Sequence, residues 1–451
     1  MPFSRLLIAN RGEIAVRIQR AARELGLTTI QVHSAADADS LAVKMADKAI
    51  DIGPPQAAKS YLNIDAILRA AAETRAEAIH PGYGFLSENA DFAEAVEAAG
   101  LVFVGPRPET IRTMGDKAAA RAAAEKAGVP VVPGSDGRVE SLAHARLIAA
   151  EIGYPVMIKA SAGGGGRGIR VVETSDALEA AYDQAGAEAK AAFGDGGLYL
   201  EKFVARARHI EVQILGDGRD VIHCYERECS LQRRRQKVWE EAPSPALDTR
   251  AREALCASAV ALARSVGYRG AGTLEYLYDD ATGRFYFIEM NTRIQVEHPI
   301  TEVVCGLDLV REMLRIAAGA PLAYKQSDIR LRGHAIEARI NAEDPALNFR
   351  PSPGKVTTFS APAGPGVRVD TLLYSGCSVS PFYDSLIGKL IVWDESREFA
   401  LARMRRALGE LVVEGIATTA PLHLRLTKDE EVRRGAFHTR WLEDWLARAA
   451  S

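Results

Sequence analysis

The sequence is poor in cysteine. Its five cysteines, Cys224, Cys229, Cys256, Cys305 and Cys377, are odd in number and scattered, with no C-x-x-C pair. That excludes a disulfide framework or a zinc ribbon and fits a reducing compartment. No run of about 18 apolar residues occurs, so no segment reads as a membrane span. The first apolar run, Leu6 to Ala9, is too short for a signal peptide. An excess of one charge is missing as well: 56 Lys and Arg stand against 59 Asp and Glu, a formal net charge of -3. No global field therefore draws the chain onto nucleic acid or anionic lipid. Internal repeats and low-complexity tracts are not evident. What remains is an ordinary globular composition, 47% hydrophobic and 25% charged over 451 residues. That length suits about three domains. The expectation is a cytoplasmic protein whose fold begins close to residue 1.

Short apolar runs alternate with amphipathic patterns in the first part of the chain. Leu6 to Ala9 reads as a strand, Glu13 to Leu25 as a helix stopped by Gly26, and Thr28 to Val32 as the next strand. Ala78 to His80 and Leu101 to Val104 continue the series. This is the rhythm of an open parallel sheet with crossover helices, in which ligands sit at the carboxyl ends of strands. Two loops fall at such ends, Asn10-Arg11-Gly12-Glu13 and the stretch from His80 to Asn89. Each is either a ligand loop or a shaped turn packed on a neighbouring domain. Neither contains G-x-G-x-x-G, so no dinucleotide site is assigned. An Ala-rich helix from Asp116 to Lys126 leads to a turn at Pro133 to Gly137, near which a subdomain boundary is placed. Short strands and turns fill the last third before a closing helix from about Glu398 to Leu411.

Gly163 to Gly166 lie between two apolar strands, Pro155 to Lys159 and Ile169 to Val172. A loop without Cβ atoms lets backbone N–H groups approach phosphate oxygens, and Lys159 adds a point charge. The same glycines would also serve a flexible linker. Further on, Gly272 to Tyr278 and Arg284 to Asn291 read as the arms of a β-hairpin. If pairing is symmetric about residue 282, Glu275 faces Glu289, each seven residues from the centre. Like charges directly opposed ask for a cation, and Mg2+ suits because one or two carboxylates leave its other positions to water and phosphate. Asn291 shares that face as a further oxygen donor. The alternation continues through Arg293, Gln295 and Glu297, but a strand of such length would span ~30 Å. The chain is therefore expected to bend after Asn291 and carry those three residues round a neighbouring pocket. Arg233, Arg234, Arg235 and Lys237 place four cations within five positions. Without interleaved aromatics this reads as an anion site rather than a nucleic-acid surface, with Arg332, Arg339 and Arg350 as further candidates.

Together, Ile8 to Ala15, His80 to Asn89, Met114 to Lys117, the glycine loop, Gln236 to Val238 with Glu240 to Pro243, Glu289 to His298, and Ala338 to Pro345 resemble the biotin carboxylase family, in its order and essentially end to end. The resemblance implies a multidomain α/β and α+β chain with an ATP-grasp fold. Residues 1–114 would form a doubly wound N-terminal domain, 115–320 the ATP-grasp region with a mobile lid at about 131–203, and 321–451 a β-rich C-terminal domain. It implies that Lys117, Lys159, Gly163, Gly164, Gly165, Gly166, Glu201, Lys202, His209 and Gln232 bind ATP, with Leu277 packing near the nucleotide. Glu275 and Glu289 would hold Mg2+ or Mn2+, joined by Asn291 for a second ion. Lys237, Arg293, Gln295 and the Val296 backbone would position bicarbonate, and Glu297 would be its general base. Attack on the γ-phosphoryl would give carboxyphosphate, which collapses to CO2 and phosphate. Phosphate would then take the N1′ proton of biotin while Arg339 stabilises the enolate-like oxygen. Lid closure would keep water from the carboxyphosphate.

Two positions depart from the family's pattern: Ala162 stands where a glycine usually begins the run, and Arg235 where His or Asn is common. Val43-Lys44-Met45 is similar to a Met-Lys-Met biotin acceptor but lacks the first Met and reads as surface helix. Biotin is therefore expected on a separate carboxyl carrier protein or biotinylated subunit. The resemblance further implies a homodimer within an acyl-CoA carboxylase whose carboxyltransferase lies elsewhere, with no nucleic-acid or membrane partner. An ATP-grasp ligase for another carboxylate would share the Mg2+ hairpin, Lys117 and Lys159, yet would not need Lys237, Arg293, Glu297 and Arg339 together. A silent nucleotide-sensing subunit would not need Glu297.

Overall fold

Five short strands open the chain in the computed structural model, which describes residues 2–160, 169–193 and 196–450. They are β1 (Arg5–Ile8), β2 (Thr28–His33), β3 (Lys48–Asp51), β4 (Ala78–His80) and β5 (Val102–Phe103), a parallel sheet in the order β3-β2-β1-β4-β5. Leu6, Leu7 and Ile8 are all buried, as a parallel strand covered on both faces requires. The helix Gly12–Glu24 buries Ile14, Ala15, Ile18, Ala21 and Ala22, and Leu25 caps it ahead of Gly26, whose φ of 74° suits a residue without Cβ. No described helix is long and apolar enough to cross a membrane.

Contacts divide the chain into two compact units. One comprises Met1–Val129, Arg208–Tyr276 and Glu289–Ser451, the other Pro130–Ala207 and Leu277–Ile288. The second unit contains the antiparallel strands β6 (Val156–Ala160), β7 (Ile169–Val172) and β8 (Leu198–Lys202), ordered β7-β6-β8. Its core joins Val156, Ile158, Leu198 and Leu200 to Ala145, Ala149 and Leu178 of flanking helices. The glycine loop from Gly163 to Gly166, and Ala162, lie outside the described residues.

The largest sheet uses β9 (Ala207–Asp217), β10 (Val221–Arg233), β11 (Gln236–Ala242), β12 (Arg269–Asp279), β13 (Phe285–Asn291), β14 (His334–Asn341), β15 (Val367–Thr371) and β16 (Leu386–Asp394), in the order β13-β12-β9-β10-β11-β14-β16-β15. Alternation assigns its faces. Ile336, Ala338, Ile340, Leu390 and Val392 join Trp239 in a core covered by Ala400, Met404 and Ala407 of the helix Arg397–Glu410. Each such large side chain contributes about 1.5–3 kcal/mol on burial. Glu337, Arg339 and Lys389 point to the opposite face. Register explains how Lys237 joins them. Leu231 pairs with Trp239 but Gln232 with Lys237, so β11 carries one extra residue there. That bulge turns Lys237 to the face of Glu240, three positions on, which strict alternation would forbid.

The β12–β13 turn departs from the symmetric expectation. Asp279 N donates to Arg284 O at 2.8 Å, so strict pairing from the turn would place Ile288 opposite Glu275. By residue 291 the alternation has shifted by one, because Asn291 Nδ2 donates to Glu275 Oε1 at 3.0 Å. β13 ends at Asn291, the chain bends, and the helix His298–Cys305 follows with Glu297 at its N-cap.

Candidate active site

A single ammonium organises the site. Lys237 Nζ lies 2.6 Å from Glu211 Oε2, 2.9 Å from Glu275 Oε1 and 2.7 Å from Glu297 Oε1. Burial opposes its charge, but Glu211, Glu297 and Glu275 override that and hold its pKa well above the usual lysine value. Glu211 also accepts from the fully buried Arg227 at 2.6 Å, directly across the β9–β10 pairing. Arg227 is completed by Gln213, Thr301 and Thr273.

Glu297 is 0% exposed and bridges two cations, because Arg339 Nη2 donates to its Oε2 at 3.0 Å. Burial favours the neutral acid, yet Lys237, Arg339 and Arg227 hold the carboxyl well below its usual range. Arg339 donates its Nε to Glu240 Oε1 at 2.5 Å, and its carbonyl accepts from His423 and Thr419. Opposite it across β14 and β16, Lys389 donates to Val296 O at 2.8 Å and lies 3.0 Å from Glu13 Oε1.

The bend after Asn291 has its own clasp. Arg293 donates to Glu88 at 2.7 Å, Gln295 Oε1 at 2.7 Å and Asn291 Oδ1 at 2.9 Å. Glu88 belongs to the His80–Asn89 loop, which is shaped by Asn10 Nδ2 donating to the Pro81 and Tyr83 carbonyls. The two N-terminal loops are thus tied together, and one reaches the site through Glu88.

For a divalent cation, Glu275, Glu289 and Asn291 offer hard oxygen donors, which fit Mg2+. Burial first, and then the charge of Glu275, push the Glu289 carboxyl above its usual pKa, with Lys117 and His209 partly offsetting them. A cation there would relieve that repulsion. His209 Nε2 lies 3.1 Å from Glu275 Oε2. Two further groupings of possible ligands, His209 with Glu211 and Glu275, and Glu211 with Cys229 and Glu297, already surround or adjoin Lys237, whose charge serves that pocket.

Other expected residues have local partners of their own. In the second unit Lys159 pairs with Glu201, Lys202 donates to the Gly153 and Tyr154 carbonyls at 2.9 and 3.0 Å, and Leu277 is half-buried. Gln232 is buried and donates to Cys229 O at 2.9 Å. Of the basic run, only Lys237 enters the cluster. Arg234 and Arg235 form the exposed β10–β11 turn with φ of 48° and 64°, and Arg233 stacks 3.9 Å from the Phe349 ring centre. Arg332 and Arg350 are exposed, so of the three isolated arginines only Arg339 belongs here. Sequence reasoning missed Glu211, Arg227, Glu337 and Lys389, and named Glu240 within a motif without giving it a role. For Glu211, Glu337 and Lys389 the signal was charge inside a largely apolar strand pattern.

With this geometry in view, the chain matches the family descriptions "Biotin carboxylase, N-terminal domain" over 2–111, "Carbamoyl-phosphate synthase L chain, ATP binding domain" over 116–325 and "Biotin carboxylase C-terminal domain" over 337–444. It is 56% identical over 446 residues to the biotin carboxylase of Pseudomonas aeruginosa, covering 98% of this chain and 99% of that one. To a pyruvate carboxylase subunit from Methanothermobacter thermautotrophicus it is 51% identical, covering 98% and 90%. The biotin carboxylase domain dimer of Hydrogenobacter thermophilus 2-oxoglutarate carboxylase, solved with MgADP, ADP and bicarbonate, is similar at a TM-score of 0.87 and 49% identity, covering 98% and 97%.

Proposed function

The chain belongs to the biotin carboxylase family, ATP-dependent ligases that carboxylate biotin with bicarbonate, and from that premise we propose how its residues divide the work and which assembly it serves. Lys237, Arg293, Gln295 and the Val296 backbone position bicarbonate, Glu297 removes its proton, and Arg339 stabilises the biotin oxygen that becomes anionic when N1′ is deprotonated. Lys117, Lys159, Glu201, Lys202, His209 and Gln232, with the glycines 163–166, hold ATP, and Leu277 packs near it. The lid is assigned to about 131–203 within an ATP-grasp region at 115–320. Glu275, Glu289 and Asn291 would hold Mg2+, which supplies charge neutralisation on the nucleotide phosphates.

The observation that carries this reading is the Glu297 carboxylate, wholly buried and shared between Lys237 at 2.7 Å and Arg339 at 3.0 Å. Without substrate it serves as their counter-ion, a weak base. A bicarbonate anion competes for both cations and frees Glu297 from them, raising its proton affinity at the moment a base is needed. Carboxyphosphate then forms where water is excluded and the cations are already in place.

We assign the assembly to a homodimer in an acyl-CoA carboxylase, with biotin on a separate carrier and the carboxyltransferase on other subunits. The compartment is assigned as cytoplasmic, in keeping with five free thiols. The reading is tested by phosphate release from Mg-ATP in carbonate-depleted buffer, with and without bicarbonate and free biotin. Release that requires bicarbonate, rises with biotin and collapses in Glu297→Gln supports it; turnover indifferent to both sinks it. Reconstitution with the carrier and carboxyltransferase tests the assembly, since consumption of pyruvate or 2-oxoglutarate in place of an acyl-CoA overturns that assignment.

A further inference from the structure

Glu240 and Glu337 are directly paired across β11 and β14, and both are 0% exposed. Among the described residues, neither oxygen of Glu337 has a hydrogen-bond partner, and Glu240 Oε2 has none either. Two like charges facing each other in a dry interior cannot both persist without cations to match. The cations are already committed. Lys237 is held by three other carboxylates, and Lys389 lies against Glu13, which in turn accepts from Tyr83. Among the described residues Arg339 alone hydrogen-bonds to the pair, through Glu240, and it also serves Glu297, while Lys389 acts on Glu337 only at longer range. From the helix His298–Cys305, which covers this face, the titratable groups are the buried His298 and Glu302 and the half-buried Cys305 thiol.

We propose that Glu240 is a positioning residue for Arg339 and that the Glu240–Glu337 pair retains one proton, so that Arg339 keeps a positive charge to offer an anionic oxygen. This rests on the assignment of Arg339 to biotin made above. Glu240 grips Nε, leaving Nη2 to Glu297. When Glu297 turns to bicarbonate, the grip on Nε keeps the guanidinium plane in place. A second ionised carboxylate beside it would cancel the charge that the plane presents. Burial, together with Glu297, lifts the Glu240 carboxyl to about 7 against the pull of Arg339 and Lys237. Burial, Glu240 and Glu297 lift Glu337 well above its usual range despite Lys389 and Arg339.

The test compares the wild type with Glu240→Gln, Glu240→Ala and Glu337→Gln in bicarbonate- and biotin-dependent phosphate release from pH 6 to 9, alongside thermal unfolding. Glutamine keeps an acceptor for Nε, so Glu240→Gln is expected within about threefold of wild-type kcat. Glu240→Ala is expected to lose about tenfold to a hundredfold in kcat with the KM for ATP unchanged. Should the alanine variant not fold, Glu240→Asp, which withdraws the carboxylate by one methylene, takes its place with the same expectation. Wild-type kcat is expected to fall on the alkaline side as the pair loses its last proton, and Glu337→Gln to lack that limb. The proposal is overturned by a Glu240→Ala or Glu240→Asp enzyme that turns over normally, by a folded Glu240→Gln as damaged as the alanine variant, or by persistence of the limb in Glu337→Gln. A wild type without bicarbonate- and biotin-dependent turnover removes the functional reading instead. The retained proton is then read from the pH dependence of unfolding in Glu337→Gln.

Discussion

Glu240 and Glu241 are consecutive, equally buried and held in opposite ways. On the helix-covered core side, Glu241 accepts from Arg397 at 2.6 and 2.9 Å, from Trp239 at 3.0 Å, and has His334 at 3.0 Å. Burial alone would protonate it, but Arg397 and His334 hold its carboxyl far below the usual range. On the site side, Glu240 has one donor and an orphan oxygen. The structural face is matched group for group. The site face is left short of cations, with carboxylates sharing donors and protons, and this shortage lets an incoming anion or metal ion change the balance.

The contrast can be broken from either face. The largest effect is expected from Glu297→Gln, which should lower bicarbonate-dependent turnover by about 10²–10⁴-fold while circular dichroism shows an intact fold. Next is Arg397→Ala on the matched face: stripping Glu241 of its principal partner should cost about 3–5 kcal/mol in denaturant unfolding, with kcat per folded molecule nearly unchanged. A pH series then separates the two glutamates by sign. The folded-state pKa of Glu241 is depressed, so its contribution is full above the unfolded value and lost as pH falls through the folded one. Glu240 is raised to about 7, so its contribution is full below the unfolded value and lost as pH rises towards 7. Glu240→Gln should therefore flatten a decline in stability between about pH 4.3 and pH 7 that is on the order of 2 kcal/mol. Buried histidines held neutral add stability over the same window, so the difference between the wild-type and Glu240→Gln curves is read, and a flat difference would refute the assignment. The smallest effect belongs to neither network. Arg235→Gly relieves the left-handed turn position and should stabilise by about 0.5–1 kcal/mol in the same unfolding assay, with Arg234→Ala as a control that relieves no such strain.

Much of this was legible in advance. Apolar runs and helix stops located β1, β2, β4 and the first helix to within a residue or two, because a parallel sheet buried on both faces leaves a continuous apolar signature. The bend after Asn291 followed from strand length alone. Side-chain aim was harder to read. The bulge that turns Lys237 towards Glu240, and the left-handed turn that sends Arg234 and Arg235 outward, are backbone events without a local composition signal. For that reason the basic run looked like one anion site when only its last member belongs. Glu211 and Glu337 escaped notice because each is an isolated acid in a largely apolar strand, and Glu240, although part of a motif, meets its partner Arg339 only across a strand about a hundred residues on.

The pairing of Lys389 with Glu13, both essentially without exposure, also bears on the order in which this protein is made. During synthesis at about 5–20 residues per second, Glu13 leaves the ribosome roughly 20 to 75 seconds before Lys389. The first helix and its parallel sheet can assemble in that interval, but with a buried carboxyl still lacking its counter-charge. Nascent chains arrested before and after residue 389 should therefore differ in how firmly that first helix resists protease, although its own sequence is the same in both.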